Sequence, residues 1–211
     1  MPIQFLTDQP LAFVVWLLAI LYGITVHEFS HALAAHGQGD GTPESYGRLT
    51  LNPLAHLDIL GFFSLLVFGF GWGKPVPYDP TRLKWQRWGA TLVSLAGPFA
   101  NLVSIFVIIL LLKLSLGVFG LDTENLLIQF LVSLVVVNVV LMIFNLIPLP
   151  PLDGAQFLFD ILPQRFYRFK LELASYGPVL LLTLVIIDRL LGSNILPVVF
   201  QTVTSWVLSF V

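Results

Sequence analysis

Residues Pro10 to Ala35 read PLAFVVWLLAILYGITVHEFSHALAA, an apolar run interrupted only near its end by His27, Glu28 and His31. A helix needs roughly 20 mostly apolar residues to cross about 30 Å of hydrocarbon, so this stretch predicts a membrane span. No Lys or Arg precedes Arg48, and no small-residue cleavage site follows a short apolar core. The run therefore reads as a retained helix and not as a removed secretion signal.

The rest of the chain agrees. Of its 211 residues, 57% are hydrophobic and 10% charged, with a mean hydropathy of +0.90. That is too little polar surface to cover the apolar mass in water. Further apolar runs lie at about Gly89 to Leu112, Leu126 to Leu146 and Leu173 to Leu191. A shorter one, Ile195 to Val211, carries Gln201, Thr202, Thr204 and Ser205, so it either spans with help or lies at the interface. The expected fold is an all-α polytopic membrane protein of about four to six transmembrane helices, forming one domain over residues 1–211. Between the first two spans, Gly61 to Phe70 is apolar but too short to cross, and Gly69 to Pro80 is broken by Gly and Pro. This pattern predicts a small membrane-dipping β-hairpin or re-entrant loop.

Of the ten Lys and Arg, Arg48, Lys74, Arg82, Lys84 and Arg87 fall between the first and second runs. Arg165, Arg168 and Lys170 fall between the third and fourth. The positive-inside rule puts both segments on the cytoplasmic side and the N-terminus outside. A net charge of -2, with no basic cluster interleaved with stacking aromatics, argues against a nucleic-acid partner. The absence of Cys removes disulfides, thiolate nucleophiles and thiolate metal ligands, leaving His, Asp or Glu to hold any metal.

His27-Glu-Phe-Ser-His31 is the sharpest chemical signal. Residues four apart on a helix lie one turn above each other, so both imidazoles leave one face at a spacing that suits zinc, with Glu28 beside them. Three ionisable groups within five residues of a spanning helix are costly unless paired or ligated. Catalytic zinc has three protein ligands, and the candidates for the third are His36, His56, Asp58, Asp153 and Asp160. His36, five residues past His31, is rotated off the shared face and reads as interfacial. His56 and Asp58 read as loop-positioning or capping groups, and Asp160 as a solvated carboxylate. Asp153 follows Asn145-Leu-Ile-Pro-Leu-Pro-Pro-Leu, whose prolines end a membrane helix on the same side as His31. It is the preferred third ligand, giving one Zn²⁺ per chain. Glu28 is then placed to take a proton from water as general base. Asn101 and Asn145 sit in apolar surroundings, either as interhelical hydrogen-bonding groups or as contacts to an unwound substrate backbone.

With these motifs in order, the chain resembles the site-2 protease family of intramembrane zinc metalloproteases, over roughly residues 10 to 160. His27 to His31, Gly97-Pro98 to Asn101, and Asn145 to Gly154 carry the likeness. The resemblance implies a three-helix catalytic core, zinc held by His27, His31 and Asp153, Glu28 as base and Asn145 as a substrate contact. It also implies that Gly69 to Pro80 forms a β-hairpin able to pair with an extended peptide. Substrates would be transmembrane segments of other proteins, and the location a bacterial plasma membrane with the site toward the cytoplasm. Many relatives carry a PDZ or CBS domain, and this sequence shows neither. Two other readings use the same residues: a metal or proton transporter, and a catalytically inactive membrane-helix binder. The oligomeric state is not legible.

Overall fold

The computed structural model describes residues 8–68 and 71–211. Among these residues, seven helices carry the architecture. They are α1 (Pro10–Gly37), α2 (Ile59–Phe68), α3 (Gly89–Gly117), α4 (Leu126–Asn145), α5 (Gly154–Ile161), α6 (Tyr167–Leu190) and α7 (Ile195–Leu208). Single helical turns at Thr42–Ser45 and Pro53–His56 and short 3₁₀ turns at Pro80–Arg82 and Gln164–Phe166 fill the connections.

Among the described residues, four helices are long and apolar enough to cross a membrane: α1, α3, α4 and the stretch Gln164–Asp188 that contains most of α6. At 14 residues α7 is too short, since it extends only about 21 Å at roughly 1.5 Å per residue. The bare apolar faces suit this setting: Leu18, Phe106, Val107 and Leu110 are all at least half exposed, a surface that lipid covers and water would not. Asp188 makes the corner into α7, accepting from Ser193 Oγ at 2.7 Å and from the Ile195 amide at 2.8 Å.

Helices α1, α3 and α4 pack around one core. Ala19 and Ile20 of α1 meet Ile105, Ile108 and Leu112 of α3 and Leu131, Leu134, Val135 and Val139 of α4. Pro10 starts α1 at a position where a missing N–H costs nothing. The helix stops where Gly39 takes φ +99°, a left-handed conformation that glycine adopts without strain.

The loop between α1 and α3 departs from the sequence reading. No strand occurs among the described residues, and Gly69 and Phe70 of the expected hairpin lie outside them. Ile59–Phe68 is helical, because Asp58 caps it by accepting from the Gly61 amide at 2.8 Å. The chain then returns extended, touching the preceding loop through one antiparallel bridge, Leu57 to Gly73. A ladder cannot propagate from it. Pro75 and Pro77 have no N–H, and the carbonyls of Lys74 and Pro75 accept from the Arg48 guanidinium at 3.2 Å each. Arg48, read from sequence as a loop cation, is thus a buried clamp, and it also donates to Ala55 O at 2.5 Å. Helix α2 and the returning extended segment cross backbone to backbone, so closely that a Cβ at Gly61 would collide with the Trp72 carbonyl oxygen.

Candidate metal centre

His27 and His31 leave the same face of α1, their ring centroids 4.6 Å apart and nearly perpendicular at 84°. Both are buried. Asp153 comes from the opposite half of the chain, where three short turns after α4 lead directly into α5. Its Oδ2 lies 3.0 Å from His27 Nε2 and 3.4 Å from His31 Nε2. Gly154 makes the turn possible, since a Cβ there would collide with the Leu146 carbonyl oxygen.

The outer ring nitrogens fix the proton positions. His31 Nδ1 lies 2.7 Å from Val93 O, which can only accept, so Nδ1 carries the proton. Asn101 donates through Nδ2 to Asn138 Oδ1 at 2.8 Å and to Gly23 O at 3.3 Å, which turns its Oδ1 toward His27 Nδ1 at 2.6 Å. His27 is therefore also protonated at Nδ1. In the Nδ1-protonated neutral tautomer each ring aims an Nε2 lone pair at the same carboxylate oxygen. Three acceptors facing one another repel unless a cation lies among them, so the donor set fits a metal ion. Among the described residues, His27, His31 and Asp153 form one group whose ligand atoms lie within 4.8 Å of one another. Two imidazole nitrogens and a carboxylate oxygen are the donor composition of catalytic zinc sites.

Helix α3 shapes this site without offering a ligand. Gly97 makes room for the rings: a Cβ there would collide with His31 Nε2 and sit 2.7 Å from His27 Cε1. Val93, Gly97 and Asn101 recur at four-residue spacing and line the same face.

Glu28, half-buried, lies beside the cluster and is not one of its donors. The returning extended segment passes it closely, with the Cβ position of Gly73 at 3.3 Å from Glu28 Oε1. Gly73 also borders a largely apolar cavity of about 600 Å³ bounded by α1, α2, α4, α6 and α7, lined by Ile24, Thr25, Leu57, Phe62, Val137 and Phe200 among others. Tyr78 stands on another side, packed against the cluster of Ala35, Leu83 and Val93. Burial pushes its phenol up; the Ser94 hydroxyl opposes this, while Asp160 and Asp153 add to it.

The other sequence candidates fall elsewhere. Asn145 donates to Leu141 O of its own helix at 3.0 Å, and Asn101 is fully buried with both amide ends occupied. His36 pairs with Glu44 at the surface at 3.3 Å. His56 is fully buried, with Nε2 donating to Thr50 O at 2.8 Å. Asp160, read as solvated, is bonded to Thr91 and Gln156. Asn138 was missed, although a lone Asn inside an apolar run was visible; the Val93 carbonyl carries no side-chain signal at all.

Comparison with known proteins finds relatives of this chain. The sequence profile described as "Peptidase family M50" matches residues 58–185, a span that includes Asp153 and begins after the histidine pair. The chain is 39% identical over 188 residues to YwhC of Bacillus subtilis (strain 168), covering 85% of this chain and 82% of that protein. It is 35% identical over 157 residues to Rip2 of Mycolicibacterium smegmatis, covering 70% and 59% respectively. Rip2 of Mycobacterium tuberculosis (strain H37Rv) is 30% identical over 197 residues, covering 88% and 73%. All three are named as candidate zinc metalloproteases. No solved structure matches the chain.

Proposed function

Because the chain belongs to peptidase family M50, the site-2 protease family, and is a multi-pass membrane zinc metalloprotease of that kind, we propose that it cleaves transmembrane segments of other membrane proteins within the bilayer. The observation that carries this reading is the convergence of His27, His31 and Asp153, with Glu28 beside them, at a site built from membrane helices.

His27 and His31 would hold zinc through Nε2 and Asp153 through a carboxylate oxygen, while Asn101 and the Val93 carbonyl keep the rings' Nδ1 side engaged. When bound, zinc supplies a Lewis acid that polarises a peptide carbonyl and acidifies water near neutral pH. Glu28 accepts one proton from the attacking water at a carboxylate oxygen. As the C–N bond breaks, the same carboxyl returns that proton to the departing amine, leaving a carboxylic acid and an amine. No acyl-enzyme forms, because Ser30 donates to Val26 O of its own helix at 2.8 Å and has no triad partner.

A substrate must present an unwound backbone, since helical carbonyls are tied in intrachain bonds. The cavity bordered by Gly73 lies next to Glu28 and suits apolar side chains of such a segment. Asn145, near the end of α4, is the proposed contact to that backbone. The loops carrying Lys74, Arg82 and Arg165 face the cytoplasm in this reading.

The test is Glu28→Gln in purified protein. It should keep about one zinc per chain and lose cleavage of a co-reconstituted transmembrane reporter by at least a hundredfold. Wild-type cleavage rates in that variant would refute the assigned base.

A further inference from the structure

Metal ligation demands that Asp153 be held within a few tenths of an ångström, yet it stands at the end of an irregular run of turns with its side chain 20% exposed. Helix α5, which begins at the next residue, has only 8 residues and is too short to be stable alone. Asp160 lies seven residues on, two helical turns, and so projects from the same side of α5 as Asp153. Its Oδ2 accepts from Thr91 Oγ1 at 2.5 Å, and its Oδ1 from Gln156 Nε2 at 3.0 Å. Among the described residues no cation pairs with it.

Thr91, 4% exposed, belongs to the same helix as Gly97, against which both imidazoles rest. From Gly97 back to Thr91 is about 9 Å along α3, and from Asp153 to Asp160 about 10 Å along α5, taking roughly 1.5 Å per residue. The two helices thus run antiparallel between the same two points, joined at one end through the ligand cluster and at the other through Thr91 and Asp160. Lys170 of α6 closes the far end further by donating to the Phe159 carbonyl.

We propose that Thr91 and Asp160 form a latch that positions the metal ligand Asp153 by fixing the distal end of α5 against α3. The latch rests on the reading of His27, His31 and Asp153 as a metal site. Asp160 touches neither substrate nor metal in this role; it is a positioning residue. Its hydrogen bonds fix the rotation of α5, and with it the direction of the ligand two turns earlier.

The experiment is chelator competition for zinc on full-length protein in detergent, with thermal melting of the zinc-free and zinc-loaded forms. Thr91→Val and Asp160→Ala should each weaken zinc binding roughly tenfold and shrink the zinc-induced rise in Tm, while Thr91→Ser stays within about twofold of wild type. A purely structural contact would lower both melting temperatures together and leave zinc affinity unchanged. Affinity within twofold of wild type in both deletion variants overturns the latch. Should Thr91→Val not fold, Asp160→Ala decides by the same measurement. A wild type that takes up no zinc, like a His31→Ala control, overturns the metalloprotease reading itself and this inference with it.

Discussion

His27 Nδ1 donates to Asn101 Oδ1 across 2.6 Å, joining α1 to α3 at full burial. The same amide is held in turn by Asn138 of α4 and by the Gly23 carbonyl, so one hydrogen-bond chain crosses all three core helices and ends on a candidate metal ligand. Removing Asn101 frees the ring to rotate or change tautomer. Asn101→Ala should weaken zinc binding 10- to 100-fold, the usual cost of losing a partner behind a ligating histidine. Asn138→Ala, one step further away, should cost less. Zinc titration of both variants checks the order, and an Asn138 effect larger than that of Asn101 would contradict it.

Gly97→Ala separates helix formation from metal binding. Alanine favours an ordinary helix interior by about 1 kcal/mol over glycine. Here its Cβ would collide with His31 Nε2, so the ring must move. Zinc content should drop sharply while the helix content measured by circular dichroism stays at the wild-type level. Retention of one zinc per chain would show that the rings have slack.

Arg48→Met tests the loop that took the place of the expected hairpin. The guanidinium satisfies the carbonyls of Ala55, Lys74 and Pro75 while nearly buried, and each orphaned acceptor costs about 1 kcal/mol or more. Limited proteolysis should cut the loop between α1 and α3 at least tenfold faster. Arg48→Lys should rescue only part of this, because an ammonium cannot reproduce the planar fork.

How much of this was legible in the sequence depends on whether the signal was local. Spans α1, α3 and α4 were readable because burial in lipid demands long apolar runs, and their ends fell within a few residues of the sequence estimate. His27 and His31 were readable because helical spacing is fixed by geometry. Asp153 was found through its prolines, and its meeting with the histidines is a contact across 126 positions that no local pattern encodes. The hairpin reading failed where non-local groups decide. Asp58 caps α2, and Arg48, outside the apparent motif, takes the carbonyls a strand would have used. Asp160 looked solvated for the same reason, since its partner Thr91 lies 69 residues away.

Asp40 gives a pH signature independent of the metal. It is fully buried, beyond the end of α1. Burial would raise its carboxyl, but the Thr42 hydroxyl, the Asp79 and Thr42 amides and the charge of Arg82 hold it below the usual range. A depressed folded pKa means stability present above the unfolded value of about 3.9 and lost as pH falls through the folded one. Asp40→Asn should therefore lower Tm near neutral pH, with the gap closing in melts below about pH 4. A gap that persisted unchanged at pH 3 would mean the carboxylate charge is not what ties Asp40 to Asp79.

Metal removal joins the two halves of the chain in one measurement. A ligand that binds only the folded state stabilises it by RT ln(1 + [L]/Kd), about 4 kcal/mol at a thousandfold excess over Kd. If His27, His31 and Asp153 share one ion, chelation should lower the Tm of wild type. It should leave His31→Ala and Asp153→Ala almost unmoved, because both have already lost the ion. The two variants lie in segments far apart in sequence, so equal insensitivity to chelator is not expected from general destabilisation. Full zinc stoichiometry in Asp153→Ala would separate the carboxylate from the imidazole pair and leave Glu28 with a two-ligand site of different chemistry.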